Sequence, residues 1–256
     1  DIPLYADVPT GLLAWCANHG VTHLLANRQY EWNEVERDRS CHRLLRGNAI
    51  VIEWFHDQCL VAPDLLRTQD GGFYTVFTPY KKKLIKHLLD QPIGVLSVLS
   101  PAKNDSNFVS DPMPKQFGAY APTPHLHDEW PAGEEAASGR LLEFCNDDVV
   151  SYREQRDFPS KKATSQLAAY LAVGAVSVRQ CWLASLRAED LRTMGDGVET
   201  WQNELIWRDF YRHVMVGYPR ISRNQPFQLK TLHIQWRNDV DGFKAWCEGQ
   251  TGFPIV

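Results

Sequence analysis

The chain has 256 residues, a net charge of −4 and a hydrophobic fraction of 44%, enough to bury a sizeable core in one large or two modest domains. No apolar run reaches bilayer length and no basic-then-apolar leader opens the chain, which points to a soluble, cytoplasmic protein without a membrane partner. Six cysteines (16, 41, 59, 145, 181 and 247) are scattered with no CxxC and no His/Cys cluster. That pattern argues against a disulfide or metal framework and for reduced, mostly buried thiols.

Residues 9–19 suit a helix started by Pro9-Thr10 and stopped by Gly20. Val21 to Ala26 is a short apolar run that reads as a buried strand, Glu31 to Arg46 as a surface helix, and Ala49 to Phe55 as a second buried strand. This alternation predicts a parallel α/β sheet. Residues 64–130 hold one helix, Tyr80 to Asp90, and long polar stretches with proline; the run from Ser100 to Pro131 reads as a connector. From Gly133 onward helical periods dominate, over 134–146, 166–173, 177–187, 199–216 and 240–248. The expected organisation is a partial α/β domain over 1–63, a linker over 64–130 and a partial all-helical domain over 131–256.

Charge is unevenly spread. Residues 151–230 carry 12 Lys/Arg against 8 Asp/Glu, a local +4, whereas residues 1–150 carry 13 against 20, a local −7. A local positive surface can hold phosphates while the rest of the protein stays acidic.

Within the basic stretch, residues 201–212 read WQNELIWRDFYR. With Trp201 at zero and about 100° per residue, Arg208, Glu204, Tyr211 and Trp207 fall at about −20°, −60°, −80° and −120°. One arc thus carries flat rings, an acid and a cation, which suits a planar, polar, partly anionic ligand. The same spacing also fits an amphipathic helix with aromatic core residues and surface ion pairs, Glu204 and Arg208 forming an i,i+4 pair. Upstream, Thr164-Ser165 reads as the start of the helix that follows.

This stretch resembles the flavin- and lesion-facing helix of the cryptochrome and photolyase family. Tyr152 to Pro159 with Thr164-Ser165-Gln166-Leu167, His233 to Trp236 and Thr251 to Val256 resemble other signatures of the same family, and Phe73 to Lys81 resembles its interdomain segment. Taken together, the motifs are most similar to those of bacterial class I cyclobutane pyrimidine dimer photolyases. The resemblance implies a Rossmann-like antenna domain joined by a long linker to an all-α FAD-binding domain, both partial. It implies that Tyr152, Thr164, Ser165, Gln166, Leu167, Ala168, Trp201 and Arg208 bind FAD. Ala168 stands where the family has a serine, which removes one hydroxyl donor unless the backbone N–H does that work. Asn33 and Glu34 are implied to bind an antenna chromophore, a reduced folate such as 5,10-methenyltetrahydrofolate. A family lysine near that chromophore corresponds to Arg223, which keeps the charge but not the geometry.

Glu204 and Trp207 are implied to meet the damaged bases, with Arg156 and Tyr211 adding DNA contacts. Arg156 also fits a local pair with Asp157. Trp236 matches the solvent-proximal member of a tryptophan chain that reduces the flavin in light; as a lone residue it also fits a half-buried packing role. The implied activity is light-driven repair of cyclobutane pyrimidine dimers, by a lyase acting as a monomer on DNA in the bacterial cytoplasm and nucleoid. The alternative is a cryptochrome-like blue-light receptor without repair. Asp1 and Val256 both look like cut ends, so the chain alone is expected to bind FAD poorly and repair nothing.

Overall fold

The structure is a computed structural model in which residues 7–95, 112, 124–191 and 196–254 are described. The chain falls into two units, residues 1–219 and 220–256.

The first unit opens with helix α1 (Val8–Asn18), strand β1 (His23–Asn27), helix α2 (Trp32–Gly47) and strand β2 (Val51–Phe55). β1 and β2 pair in parallel, His23 opposite Val51 through Asn27 opposite Phe55. This is the expected alternation, each element within about three residues of its sequence reading. The burial is not as expected. The strands read as buried, yet each alternates exposed and half-buried. Ile52 and Leu24 face a small core of Cys16, Leu45 and Ile50. On the opposite face Leu25 is 68% exposed, and Val51 and Phe55 are also exposed. Strand side chains alternate between faces, and among the described residues only one face of this sheet carries a helical layer.

Helix α3 (Phe77–Asp90) follows, then α4 (Pro124–Glu129), α5 (Glu134–Glu143), α6 (Tyr152–Gln155), α7 (Ala168–Val173), α8 (Val178–Leu191) and α9 (Asp196–Gly217). α5 runs into a wide π turn over Phe144–Asp148 and a 3-10 turn over Val149–Ser151. The segment between the α/β part and the helices is not a passive connector. Leu60, Val61, Leu66, Tyr80, Leu84 and Leu88 enter the same core as Phe144, Trp182, Trp201 and Phe210. Most of the run from Ser100 to Pro131 lies outside the described residues.

α9 is the axis of this core. Its first turn lies directly on the 3-10 turn: a Cβ on Gly197 would meet the Val149 carbonyl oxygen at 2.2 Å. Only glycine permits that approach. At the other end a Cβ on Gly217 would run into the Phe73 ring at 2.5 Å.

The second unit holds a 3-10 turn at Leu229–His233 and helix α10 (Val240–Cys247). Asp239 caps α10 by accepting the Gly242 N–H at 2.9 Å. Five cysteines are buried and Cys247 is exposed, all as free thiols. Among the described residues no helix is long and apolar enough to cross a membrane, and no His/Cys/Asp/Glu group is arranged to hold a metal ion.

Candidate functional site

α9 has two unlike sides. Trp201, Leu205, Ile206, Asp209, Phe210 and His213 are buried, and on the wheel they occupy one half-turn at about 0° to 180°. Glu204, Trp207 and Tyr211 lie on the other half, as the spacing predicted; Tyr211 is 62% exposed. Trp207 lies flat against Phe77 of α3, ring centroids 3.7 Å apart and planes 4° from parallel. Tyr211, one turn further, continues the stack at 5.6 Å and 27°. Phe210 meets both Phe77 and Trp207 edge-on, each at 78°.

Glu204 is not paired with Arg208. Its carboxylate accepts from Arg156 Nη1 at 2.5 Å, joining residues 48 apart. Arg156 also approaches the exposed Asp157 at 3.5 Å, and its guanidinium lies 5.5 Å from the Tyr152 ring centroid. The hydrogen bond that Arg156 donates to Glu204 pushes the Arg156 pKa further up. Two residues assigned separately from the sequence thus form one half-exposed ion pair. Arg208 turns the other way, donating to the Gln58 carbonyl and, at 3.5 Å, to the Leu171 carbonyl. Burial lowers its pKa. The i,i+4 pair fails because Arg208, at the margin of the buried half, finds backbone acceptors nearer than Glu204.

Tyr152 and Trp201 are both buried and both meet Phe144 edge-on, at 5.7 and 4.9 Å. Leu167 belongs to the same core. Thr164-Ser165 does not cap the next helix. α7 begins at Ala168 with Leu167 at the cap position and no side-chain capping bond. The reason is local: Gln166 adopts a left-handed φ of 50°, which breaks the chain between Ser165 and the helix. Thr164 and Ala168 are exposed, Ser165 is half-buried, and Gln166 accepts from Arg140.

The sequence reading missed the polar side of α9. Asp209, 1% exposed, accepts the Leu60 N–H at 2.7 Å. Its pKa is pushed up to about 7, burial outweighing the Leu60 N–H, Arg208 and Arg212. His213, fully buried, bonds Pro63 O through Nδ1 at 2.7 Å and accepts the Tyr74 N–H at Nε2, 2.9 Å away. A carbonyl can only accept and an amide N–H only donate, so both nitrogens are committed and the ring is the neutral Nδ1–H form. Burial likewise lowers its pKa. Arg212 donates to Gln58 at 3.2 Å, and Arg179 to the carbonyls of His56 and Leu60. These residues hold the chain leaving β2. The signal was present: the apolar stripe Leu205, Ile206, Phe210 contains an Asp and a His, and polar groups inside such a stripe are buried with partners.

Asn33 and Glu34 lie in the first turn of α2, Asn33 exposed and Glu34 half-buried. Their neighbours Trp32 and Val35 line a cleft of about 340 Å³ with Tyr30, Arg39, His56 and Met215. The Tyr30 hydroxyl and His56 Nδ1 are 2.9 Å apart, and burial followed by the Arg28 charge lowers the His56 pKa. In the second unit Trp236 is 79% exposed, so it is not the half-buried packing residue that its isolation allowed; Phe243 and Trp246 stack at 5.8 Å.

The family described as DNA photolyase matches residues 3–97, and the FAD binding domain of DNA photolyase matches residues 201–256. The deoxyribodipyrimidine photo-lyase of Escherichia coli (strain K12) is 38% identical over 242 residues, covering 94% of this chain and 50% of that protein. That of Neurospora crassa is 30% identical over 269 residues, covering 98% and 44%. A bacterial class III photolyase from Agrobacterium tumefaciens superposes with a TM-score of 0.80 at 27% identity, covering 98% of this chain and 52% of that one. The Synechocystis sp. PCC6803 cryptochrome superposes with a TM-score of 0.78 at 22% identity, covering 97% and 52%, a likeness of fold alone. The chain spans about half the length of the curated relatives it matches. With matched segments from both ends that together exceed half of it, and relatives at 30–38% identity along nearly all of it, the chain belongs to the DNA photolyase and cryptochrome family.

Proposed function

We propose that this protein repairs cyclobutane pyrimidine dimers in DNA, driven by blue or near-ultraviolet light. The observation that carries the reading is the outward side of α9, where Glu204, bound to Arg156, stands beside the Phe77–Trp207–Tyr211 stack. Enzymes that do chemistry on a base take it out of the helix, photolyases among them. An extruded pyrimidine pair needs a flat apolar surface and a polar edge. Trp207 supplies the surface, since base–aromatic stacking contributes about 1–3 kcal/mol per base. Glu204 supplies the edge, and the hydrogen bond from Arg156 orients that carboxylate. Arg156, with Lys161 and Lys162 close in sequence, also supplies the phosphate side of the contact, which positions DNA without reading sequence.

The donor set fits a dinucleotide cofactor. Thr164 and Ser165 carry hydroxyls not spent on capping α7, the type of group that holds a diphosphate. Tyr152, Leu167 and Trp201, which share one buried core, would supply the apolar side of such a site, and Gln166, Ala168 and Arg208 further polar and backbone groups. Reduced FAD held there would supply, on excitation by light, an electron that is returned to it once the two linking bonds have opened. The chain's own residues bind the lesion, orient it and exclude water. The cleft beside Asn33 and Glu34 offers flat rings (Tyr30, Trp32, His56) and guanidiniums (Arg28, Arg39), which favours a planar, anionic antenna such as a reduced folate.

A cryptochrome-like receptor shares this fold; the pairing of an acid with an aromatic stack on an open helix side favours repair. The test is to irradiate the full-length protein with an oligonucleotide containing one thymine dimer. Recovery of the two thymines under blue light, and not in the dark, is the expected result. Light-dependent flavin spectra with no preference for dimer-containing DNA would replace repair by a receptor function.

A further inference from the structure

We propose that Phe77 is a positioning residue for lesion recognition: it backs one face of Trp207 and so fixes which indole face is offered to a base. The inference rests on the lesion-stacking reading of Trp207.

Phe77 opens α3 directly after Val76, with no side chain capping that helix end. It is half-buried and sits against the core rather than in it. Its ring covers one face of the Trp207 indole at 3.7 Å, nearly parallel. Aromatic pairs favour offset or edge-on arrangements over a direct face-to-face sandwich. Ring electrostatics therefore do not account for this geometry by themselves; the packing imposes it. The packing is visible. Phe210, buried, stands edge-on to both rings, at 5.8 Å from Phe77 and 5.6 Å from Trp207. The Lys81–Glu199 pair, 3.1 Å apart, ties the same two helices together.

Two consequences follow from contact geometry. A base cannot stack on the face that Phe77 occupies, so it is directed to the other side of the indole, where the Tyr211 ring, 5.6 Å away and 62% exposed, has to move aside for it. The indole is also held in one orientation before a ligand arrives. A side chain already immobilised loses less entropy on binding. Without the backing ring, Trp207 gains rotamers and an alternative face, and both weaken stacking. Phe77 touches neither base nor cofactor in this scheme; it acts through Trp207.

The experiment is a double-mutant cycle in the full-length protein, reading Kd for an oligonucleotide with a single thymine dimer and for its undamaged counterpart. Phe77→Leu keeps apolar volume but removes the flat ring, and a thermal melt checks that the variant is folded. It is expected to weaken binding to dimer-containing DNA by about 3- to 10-fold while leaving undamaged DNA within about 2-fold. Phe77→Tyr keeps the ring and is expected to bind like the wild type. In a Trp207→Ala background the Phe77→Leu change is expected to have no further effect. Equal losses on both DNAs, a full loss in the Trp207→Ala background, or failure of Phe77→Tyr to restore binding each overturn the proposal. A wild-type protein with no preference for dimer-containing DNA overturns the lesion reading itself, and this inference with it. A wild-type preference that Phe77→Leu leaves intact overturns the positioning role alone.

Discussion

The two sides of α9 solve opposite problems with similar side chains. On the buried side, His213 spends both ring nitrogens on backbone atoms of residues 63 and 74, and Asp209 accepts the Leu60 N–H through Oδ2 while its Oδ1 is buried without a partner. On the open side, Glu204 and Trp207 are held by side chains, Arg156 for the acid and Phe77 and Tyr211 for the indole, and both stay partly exposed. Backbone partners make a joint; side-chain partners on a partly exposed side suit the recognition surface proposed above. Burial draws the same line: Asp209 is pushed up to about 7, while Arg156, at the half-exposed pair, is raised by its acidic partner.

The sharpest way to break this contrast is through pH. Asp209 keeps its proton in the folded chain up to about 7, whereas an unfolded carboxyl loses it near the ordinary value of 3.8. Its contribution to stability is therefore complete below about pH 4 and is lost as pH rises to about 7, up to about 4 kcal/mol in all. Asp209→Asn, which can still accept from Leu60, is expected to abolish that slope. The difference between wild-type and variant urea midpoints across this window measures it, and parallel curves would show that Asp209 ionises as freely folded as unfolded. His213 works in the opposite sense. Its lowered pKa leaves a contribution that is present above the ordinary histidine value and lost as pH falls.

His213→Ala strands the Tyr74 N–H and the Pro63 carbonyl beside a new void, and is expected to cost about 3 kcal/mol of stability by chemical denaturation. DNA affinity should fall only in proportion to the unfolded fraction. On the open side the order reverses. Trp207→Ala removes a half-buried ring packed on Phe77 and Phe210, so it is expected to lower the denaturation midpoint less than His213→Ala does, and to weaken dimer-containing DNA selectively, by about 1–3 kcal/mol in a binding titration. Equal loss on undamaged DNA would make Trp207 a packing residue. The smallest effect belongs to Arg156→Ala. It should lower the log–log salt slope by about one on damaged and undamaged duplex alike, with a further small loss on damaged DNA alone where Glu204 is released. An unchanged slope would leave Arg156 as the partner of Glu204 only.

Much of this was legible in the sequence, and the gaps have physical causes. Helix and strand positions followed from periodicity, because local spacing decides which face of α2, α8 or α9 is apolar. The grouping of Glu204, Trp207 and Tyr211 followed from the same arithmetic. The pairing of Arg156 with Glu204 did not, since 48 residues separate them and only the packing of α6 on α9 brings them together. The exposed face of β1 and β2 was misread because a short apolar run looks the same whether one or both faces are covered. Phe77 lay inside a quoted motif but carried no local sign that its ring would lie on Trp207. Asp209 and His213 were readable as intruders in an apolar stripe, and only their partners required the fold.

Those partners set a schedule for how the chain comes together. The bonds from residues 58, 60, 63 and 74 to α9 close loops of 139 to 154 residues. Closing loops of that length costs about 4 kcal/mol of chain entropy before any contact compensates it, and such non-local contacts slow folding. During synthesis at about 5–20 residues per second, the segment after β2 waits roughly 8–30 s for the helix that completes it. Through that interval Leu60, Leu66 and Tyr80 are without the core they later share, which makes the nascent chain a natural client for holding chaperones.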